Sequence, residues 1–170
     1  MSDTPSDRIT PKILADLLIQ GQFRLKRLAE AHLLAEFLSH HCPRPRLVVV
    51  GITEILVNAI EHGNLGIGYE EKTRLQLQDD WLKEIDRRLS APENKHKYVE
   101  VDFNRTDDEI HIKVTDQGKG FDWKKYHDKD AESSAETHGR GIVLAKSLAF
   151  KSLQYSGAGN QVTCIISLKE

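Results

Sequence analysis

Residues 54–64 of the chain read EILVNAIEHGN, and the spacing of their polar residues decides the fold. A helix advances by about 100° per residue, so Glu54, Asn58 and His62 lie on one narrow arc, at spacings i, i+4 and i+8. The opposite side of the same helix is apolar: Val48, Ile52, Ile55, Leu56 and Ala59. The polar arc therefore carries a carboxylate, an amide and an imidazole on an otherwise apolar helix. This polar arc needs a polar partner, and the rest of the sequence indicates which one.

The composition is that of a soluble globular protein. The chain has 170 residues, 39% hydrophobic and 29% charged, which is enough for one domain with an ordinary core. A formal net charge of −2 gives no electrostatic case for binding nucleic acid or an anionic membrane. Cys42 and Cys164 are far apart in sequence, which favours reduced thiols. No apolar run reaches the ~18 residues of a membrane span. With no signal-peptide core at the N-terminus, we expect a cytoplasmic protein.

The periodicity of apolar residues predicts helices first, then two hairpins separated by a further helix. Residues 1–10 are expected to be disordered, and residues 11–170 to form a single domain. The expected helices are residues 11–20, 28–42, 46–62, 69–90 and 141–150. The expected strands are residues 23–25, 98–103, 109–115, 151–156 and 161–168, with hairpin turns at 104–108 and 157–160. This order predicts an α+β fold with an antiparallel or mixed sheet and helices on one face.

A second polar motif, DQGKGF, follows the strand at 109–115. Asp116 shares the parity of Ile110, Ile112 and Val114, so the strand directs it toward their side of the sheet. A carboxylate facing a core is costly unless something donates hydrogen bonds to it, such as the exocyclic amine of a purine or a pair of backbone N–H groups. Gly118 and Gly120 allow a sharp turn and a close approach of backbone to a ligand. An ordinary Asp-x-Gly turn remains the alternative.

A third motif, HGRGI, opens the helix at 141–150. Gly139 and Gly141 at a helix N-terminus expose free N–H groups, which together with the helix dipole form an anion site. Arg140 adds a positive charge, so a phosphate chain is a suitable ligand. The alternative is a glycine-rich loop that enters an ordinary helix. The motif is neither a Walker A loop nor a dinucleotide fingerprint, because it lacks Gly-Lys-Ser/Thr and follows a polar loop instead of a strand.

In this order the three motifs resemble the ATP-binding domain shared by gyrase-type ATPases, the Hsp90 chaperones, histidine kinases and MutL. The resemblance covers about residues 22–168 and implies a two-layer α/β sandwich of the Bergerat type. Within that superfamily the chain resembles the bacterial anti-sigma-factor serine kinases, through Phe23-Arg24-Leu25 before a helix and through NA and HGN at 58–64.

The resemblance implies a role for each motif residue. Asn58 would bind the Mg²⁺ that bridges the ATP phosphates, and Glu54 would be the general base for a serine hydroxyl. Asp116 would receive the adenine amino group. The remaining expected nucleotide contacts are Gly118, Gly120, Gly139, Arg140, Gly141 and Asn160, with residues 121–138 as a lid. Asn160 stands where the family usually has the threonine of a Gly-Thr pair. His62 could touch the ligand, cap the helix or bond a loop, and we favour a structural role.

Three functions are compatible with these residues. In the first, the protein is an ATP- and Mg²⁺-dependent serine kinase and anti-sigma factor. Its partners would be an anti-anti-sigma protein or a sigma factor, and a response-regulator or phosphatase protein, with a homodimer also compatible. In the second, it is the catalytic module of a histidine kinase, although no His-Glu or His-Asp phosphoacceptor box precedes the domain. In the third, it senses a nucleotide without transferring phosphate.

Overall fold

The computed structural model describes residues 17–120 and 150–169, and these form one sheet covered by helices. The helices are α1 (Leu28–Ser39), α2 (Pro45–Asn58), α3 (Tyr69–Leu77) and α4 (Trp81–Ser90), and a π-helical turn, Ala59–Asn64, continues α2. The strands are β1 (Gln20–Leu25), β2 (Val99–Arg105), β3 (Glu109–Thr115), β4 (Ser152–Ser156) and β5 (Gln161–Ser167). The predicted α+β class is confirmed.

The five strands form a sheet in the order β1-β2-β3-β5-β4, and each neighbouring pair is antiparallel. In β2, β3 and β5, near-regular alternation of apolar and polar residues directs one row of side chains toward the helices. This row is buried: Val99, Val101, Phe103, Ile110, Ile112, Val114, Val162, Cys164 and Ile166. The predicted faces of the two central strands are therefore confirmed, and the opposite face carries mostly polar and charged residues.

The helical layer is built mainly from α1 and α2, which pack against each other and share one hydrophobic core with the sheet. Their inward stripes are fully buried at Ala31, Ala35, Leu38, Val48, Ile52 and Leu56. At the start of α1, the Glu30 carboxylate accepts hydrogen bonds from the backbone N–H groups of Lys26 and Arg27. Pro45 opens α2, where its fixed φ suits the first helical turn. No helix among the described residues is long and apolar enough to span a bilayer.

The surface segment at 69–90 differs from the prediction, because it is two helices and not one. The chain leaves the helical conformation after Leu77, and Asp79 adopts the left-handed region at φ 58°. Aspartate tolerates that region better than most residues, because its short side chain bonds locally. The sequence pattern did not reveal the break, because α3 and α4 are both mostly polar and their apolar residues are widely spaced. No residue of α3 is buried.

Three helix boundaries also differ from the prediction. The helix expected at 28–42 ends at Ser39. Of the helix expected at 11–20, residues 11–16 lie outside the described residues, and strand β1 already begins at Gln20, because Gln20 and Gly21 pair with Asn104 and Phe103 of β2. The helix expected at 46–62 is α-helical only to Asn58 and continues as the π-helical turn. The disordered lead at 1–10, the lid at 121–138 and nearly all of the helix at 141–150 lie outside the described residues. Phe150, its expected last residue, is buried and not helical.

Candidate functional site

Asp116 lies directly after β3, and its backbone is fastened to the turn before β5. The Asp116 N–H donates to the Asn160 carbonyl at 3.0 Å, and the Asn160 side-chain amide donates to the Asp116 carbonyl at 3.0 Å. Asn160 was predicted to contact the nucleotide. In the structure its amide nitrogen holds the strand end that carries Asp116. Thr163, the next hydroxyl residue, pairs with Lys113 on the opposite face of the sheet and does not reach this strand end.

The Asp116 carboxylate lies directly against the backbone of Gly63 in the π-helical turn. A Cβ atom added to Gly63 would be 2.4 Å from Asp116 Cγ, and a Cβ atom added to Gly118 would be 2.2 Å from the Gly63 carbonyl oxygen. Real Cβ atoms essentially never make contacts below 3.0 Å. At Gly63 the Asp116 side chain leaves no room for a Cβ atom, and at Gly118 the Gly63 backbone leaves none. These contacts bring the first and second sequence motifs together.

Asn64 makes the second connection between the π-helical turn and the strand end. Its side chain is 5% exposed, and its Oδ1 atom accepts a hydrogen bond of 2.7 Å from the backbone N–H of Gln117. The Asn64 carbonyl accepts from Lys97 Nζ at 2.8 Å. We call Gly63, Asn64, Asp116, Gln117 and Gly118 the Asp116 seat. The roles of Asn64 and Lys97 were not predicted from the sequence, because their hydrogen-bond partners are distant in sequence.

One oxygen of the Asp116 carboxylate is available to accept a further hydrogen bond. Burial raises the pKa of the Asp116 carboxyl above its usual value, while the Gly118 N–H and the Lys97 charge act in the opposite direction. Oδ1 accepts from the Gly118 N–H at 2.7 Å. Oδ2 accepts no hydrogen bond from any residue in the described ranges. Because Asp116 is half-buried, an oxygen without a protein donor favours a ligand that carries an N–H group.

Glu54 and Asn58 occupy successive turns of α2, as predicted, and both side chains are half-buried. Across residues 17–120 and 150–169, neither side chain forms a hydrogen bond or an ion pair with the protein. A carboxylate and an amide oxygen are ligands that suit Mg²⁺, which usually keeps several waters and takes few protein oxygens. The same part of the chain contains no group of three His, Cys, Asp or Glu residues that could hold a metal on its own.

His62 has structural contacts, in agreement with the favoured interpretation. Its Nδ1 atom is hydrogen-bonded to the Ile67 carbonyl, and its ring packs on Tyr69 with centroids 4.0 Å apart. These contacts close the loop that follows the π-helical turn. His62 was predicted to share one polar arc with Glu54 and Asn58, but α-helical geometry ends at Asn58, so that angular argument does not extend to it.

Glu61 is a buried charged residue to which the sequence analysis gave no role. Its exposure is 0%, and its two carboxylate oxygens accept from Trp81 Nε1 at 2.8 Å and from Lys72 Nζ at 2.6 Å. One signal was present: Glu61 lies seven residues after Glu54, a helical spacing that in a regular α-helix would put both carboxylates on the same side. In the structure it faces α3 and α4.

Of the four remaining residues that were predicted to contact the nucleotide, only Gly120 lies within the described part of the chain. Gly120 has φ 73°, and a Cβ atom there would be 2.0 Å from the Ala158 carbonyl oxygen, so its backbone packs on the turn between β4 and β5. Gly139, Arg140 and Gly141 lie outside the described residues, as does the expected lid.

A comparison with protein families covers part of this candidate site. Residues 88–166 match the model of the histidine kinase-like ATPase domain. The match covers somewhat less than half of the chain, from the end of α4 to β5, and includes Asp116, Gly118 and Asn160. Glu54 and Asn58 lie before its start. No curated protein matches the sequence. The similarity supports the histidine kinase-like ATPase superfamily and suggests ATP binding.

Proposed function

We propose that the chain binds ATP, with the adenine amino group donating a hydrogen bond to Asp116. The observation that carries this proposal is that Asp116 is half-buried and that its Oδ2 atom receives no hydrogen bond from the described residues. Burial raises the pKa of this carboxyl, so an N–H donor at Oδ2 would offset part of the cost of keeping it ionised. The match at residues 88–166 supports the same ligand.

The phosphate end of the proposed site lies along α2. Asn58 would supply one oxygen to Mg²⁺, which neutralises charge on the phosphate oxygens when it is bound. Glu54, one turn earlier, would accept the proton of an attacking hydroxyl while the bond between the γ-phosphorus and its bridging oxygen breaks and ADP leaves. Both side chains are free of partners among the described residues, and this supports their availability to a ligand.

The finer proposal is a serine kinase and anti-sigma factor in a partner-switching pathway. The substrate would be a serine of an anti-anti-sigma protein, and a sigma factor or a response-regulator or phosphatase protein would be a further partner. Support comes from the residues that resemble this branch: Phe23 to Leu25 before α1, and NA with HGN around Asn58 and Gly63. The structure adds that Gly63 and Asn64 of that HGN motif both contact the loop that carries Asp116.

A comparison of ATP with inosine triphosphate tests the adenine assignment. The two nucleotides differ at the purine 6-position, where adenine has an amino group and hypoxanthine has a carbonyl. The wild-type protein should bind ATP more tightly than inosine triphosphate. In Asp116→Asn this preference should fall at least tenfold, because the asparagine side-chain amide can donate a hydrogen bond to the hypoxanthine carbonyl. Hydrogen bonds to charged groups contribute about 1.5–3 kcal/mol, which is roughly ten- to a hundredfold.

The control for this comparison is Asp102→Asn, since the Asp102 carboxylate accepts from Gln22 on the outward face of β2. It should keep the wild-type preference in calorimetric titrations. Equal preference in wild-type and Asp116→Asn proteins would refute the adenine assignment.

Transfer of radiolabel from ATP tests the kinase proposal. Candidate anti-anti-sigma proteins from the same genome would be incubated with the protein, labelled ATP and Mg²⁺. Serine label that disappears with Glu54→Gln but persists with Glu100→Gln supports the kinase, since Glu100 pairs with Arg24 on the outward sheet face. Acid-labile label on a histidine supports the histidine-kinase module. Tight ATP binding with no labelled partner supports a nucleotide sensor.

A further inference from the structure

Glu61 is a fully buried carboxylate at a place where simple packing does not require one. It lies in the π-helical turn, and its two oxygens accept hydrogen bonds from one side chain of α3 and one of α4, Lys72 and Trp81. Removing a carboxylate from water is costly, and replacing a buried ion pair by apolar residues is often neutral or stabilising. A net gain in stability therefore does not explain the buried charge at this position. The best-known other role of such a group is to specify one arrangement of the elements around it.

The polar contacts of Glu61 are important for α3, because α3 has no buried residue of its own. Its connections to the rest of the molecule include the ion pair of Lys72 with Glu61 and the ion pair of Glu71 with Arg88 on α4. Arg88 also donates to the Leu65 carbonyl at 2.9 Å, directly after the π-helical turn. Helices α3 and α4 are thus attached to the segment at 61–65 by directional hydrogen bonds.

The same turn carries the Asp116 seat on its other side. Glu61 is followed two residues later by Gly63, against which the Asp116 carboxylate lies, and then by Asn64, which accepts from the Gln117 N–H. The turn is π-helical, a geometry that is rare and frequently found at functional sites. Gly63 has no side chain, so displacement of this turn by a few tenths of an ångström would directly change the contact between its backbone and the Asp116 carboxylate.

We infer that Glu61 is a positioning residue for the Asp116 seat. Glu61 accepts hydrogen bonds from Lys72 and Trp81 and thereby fixes the position of the π-helical turn. In this position Gly63 and Asn64 contact the loop that carries Asp116. Helices α3 and α4 serve as the support for this turn. The inference deepens the proposed nucleotide site, and it rests on the proposed function only for the effect on ATP affinity.

The test uses two variants that remove single hydrogen-bonding features. Glu61→Gln keeps the size of the side chain and removes its charge, and Trp81→Phe removes the indole donor and keeps an aromatic ring. Glu100→Gln is the matched control, because it removes an ion-paired carboxylate on the outward face of the sheet. Circular dichroism and thermal unfolding establish that each variant is folded, and Trp81→Phe decides the question if Glu61→Gln does not fold.

The first readout is titration of the Asp116 carboxyl by NMR in the absence of nucleotide. Burial is the largest cause that raises this pKa, so loosening of the turn should lower it toward its usual value in both variants and leave it unchanged in Glu100→Gln. A purely structural role of Glu61 would lower the melting temperature without changing the titration of Asp116 in the folded protein. Wild-type titration in a folded variant would overturn the inference.

The second readout is ATP affinity, which should fall at least tenfold in both variants and not in Glu100→Gln. Wild-type affinity in folded Glu61→Gln and Trp81→Phe would also overturn the inference. If the wild-type protein binds no nucleotide, the proposed function fails, and the Asp116 titration alone then decides whether Glu61 positions the seat. The two failures are therefore distinguishable.

Discussion

Replacing Gly63 with alanine should damage the Asp116 seat, although alanine is the better residue for a helix. Gly63 is not among the residues with positive φ, so its backbone conformation is open to alanine, and only close approach opposes it. The new Cβ atom would lie 2.4 Å from Asp116 Cγ, whereas ordinary contacts begin at 3.4 Å. The carboxyl group must therefore move by about 1 Å, a displacement that is large for a binding site.

The free-energy change of this substitution follows from the surrounding contacts. Two hydrogen bonds with Asn160 fix the Asp116 backbone, so the carboxylate has to rotate and give up its bond with the Gly118 N–H. Overpacking of this kind costs about 1–3 kcal/mol. Alanine regains about 1 kcal/mol over glycine through helix propensity. We expect a net loss of about 0–2 kcal/mol in the free energy of unfolding, and at least a tenfold loss of ATP affinity.

Urea unfolding and calorimetric titration with ATP measure the two effects. Gly68→Ala is the matched control, because a Cβ atom there would meet nothing within 4 Å. It should keep the wild-type affinity. The reasoning would be refuted if Gly63→Ala were as stable as the wild type and bound ATP equally well, since the Asp116 carboxylate would then not lie against the turn.

Three further predictions concern titration, catalysis and thiol reactivity. Burial raises the pKa of the Asp116 carboxyl above its usual 3.8, so ionisation of this group is disfavoured in the folded state. The protonated carboxyl therefore contributes stability below pH 3.8, and this contribution is lost as pH rises through the raised pKa. Asp116→Asn should therefore gain stability relative to the wild type as pH rises from 3.8, which urea midpoints measured from pH 3.5 to 7 would show; a constant difference would contradict it. Glu54→Gln should keep ATP affinity within about threefold while phosphotransfer falls by 10²–10⁴-fold, the usual contribution of a general base, as single-turnover measurements would show. Burial raises the pKa of Cys42 and of Cys164 to about 12, so neither thiol should react with iodoacetamide at pH 8 until urea unfolds the protein, and fast labelling of the folded protein would contradict their burial.

Much of the sheet could be predicted from the sequence because its information is local. Alternation of apolar and polar residues assigned both faces of β2 and β3, and the bounds Glu109–Thr115 of β3 were predicted correctly. The parity argument also predicted the side of the sheet to which Asp116 belongs. Helix boundaries were less accurate, because the extension of β1 to Gln20 depends on pairing with Asn104, a residue far away in sequence.

The candidate site was predictable in its residue types and incomplete in its contacts. Glu54, Asn58 and Asp116 could be proposed from the sequence, because spacing on a helix and parity on a strand depend only on neighbouring residues. Asn160 and Glu61 differ, because hydrogen bonds across the fold determine their environments. The amide of Asn160 holds the Asp116 carbonyl, and the carboxylate of Glu61 faces α3 and α4.

The sequence by itself determined the α+β class, the faces of the strands and the polar pair Glu54 and Asn58, because periodicities of 2.0 and 3.6 residues are properties of the local chain. Only the tertiary structure decided that Gly63 must be glycine, since the Asp116 carboxylate that excludes a Cβ atom there comes from a strand more than 50 residues later. It also decided that α2 ends in a π-helical turn. Contacts of this kind depend on distances between separate elements, which no periodicity in the sequence specifies.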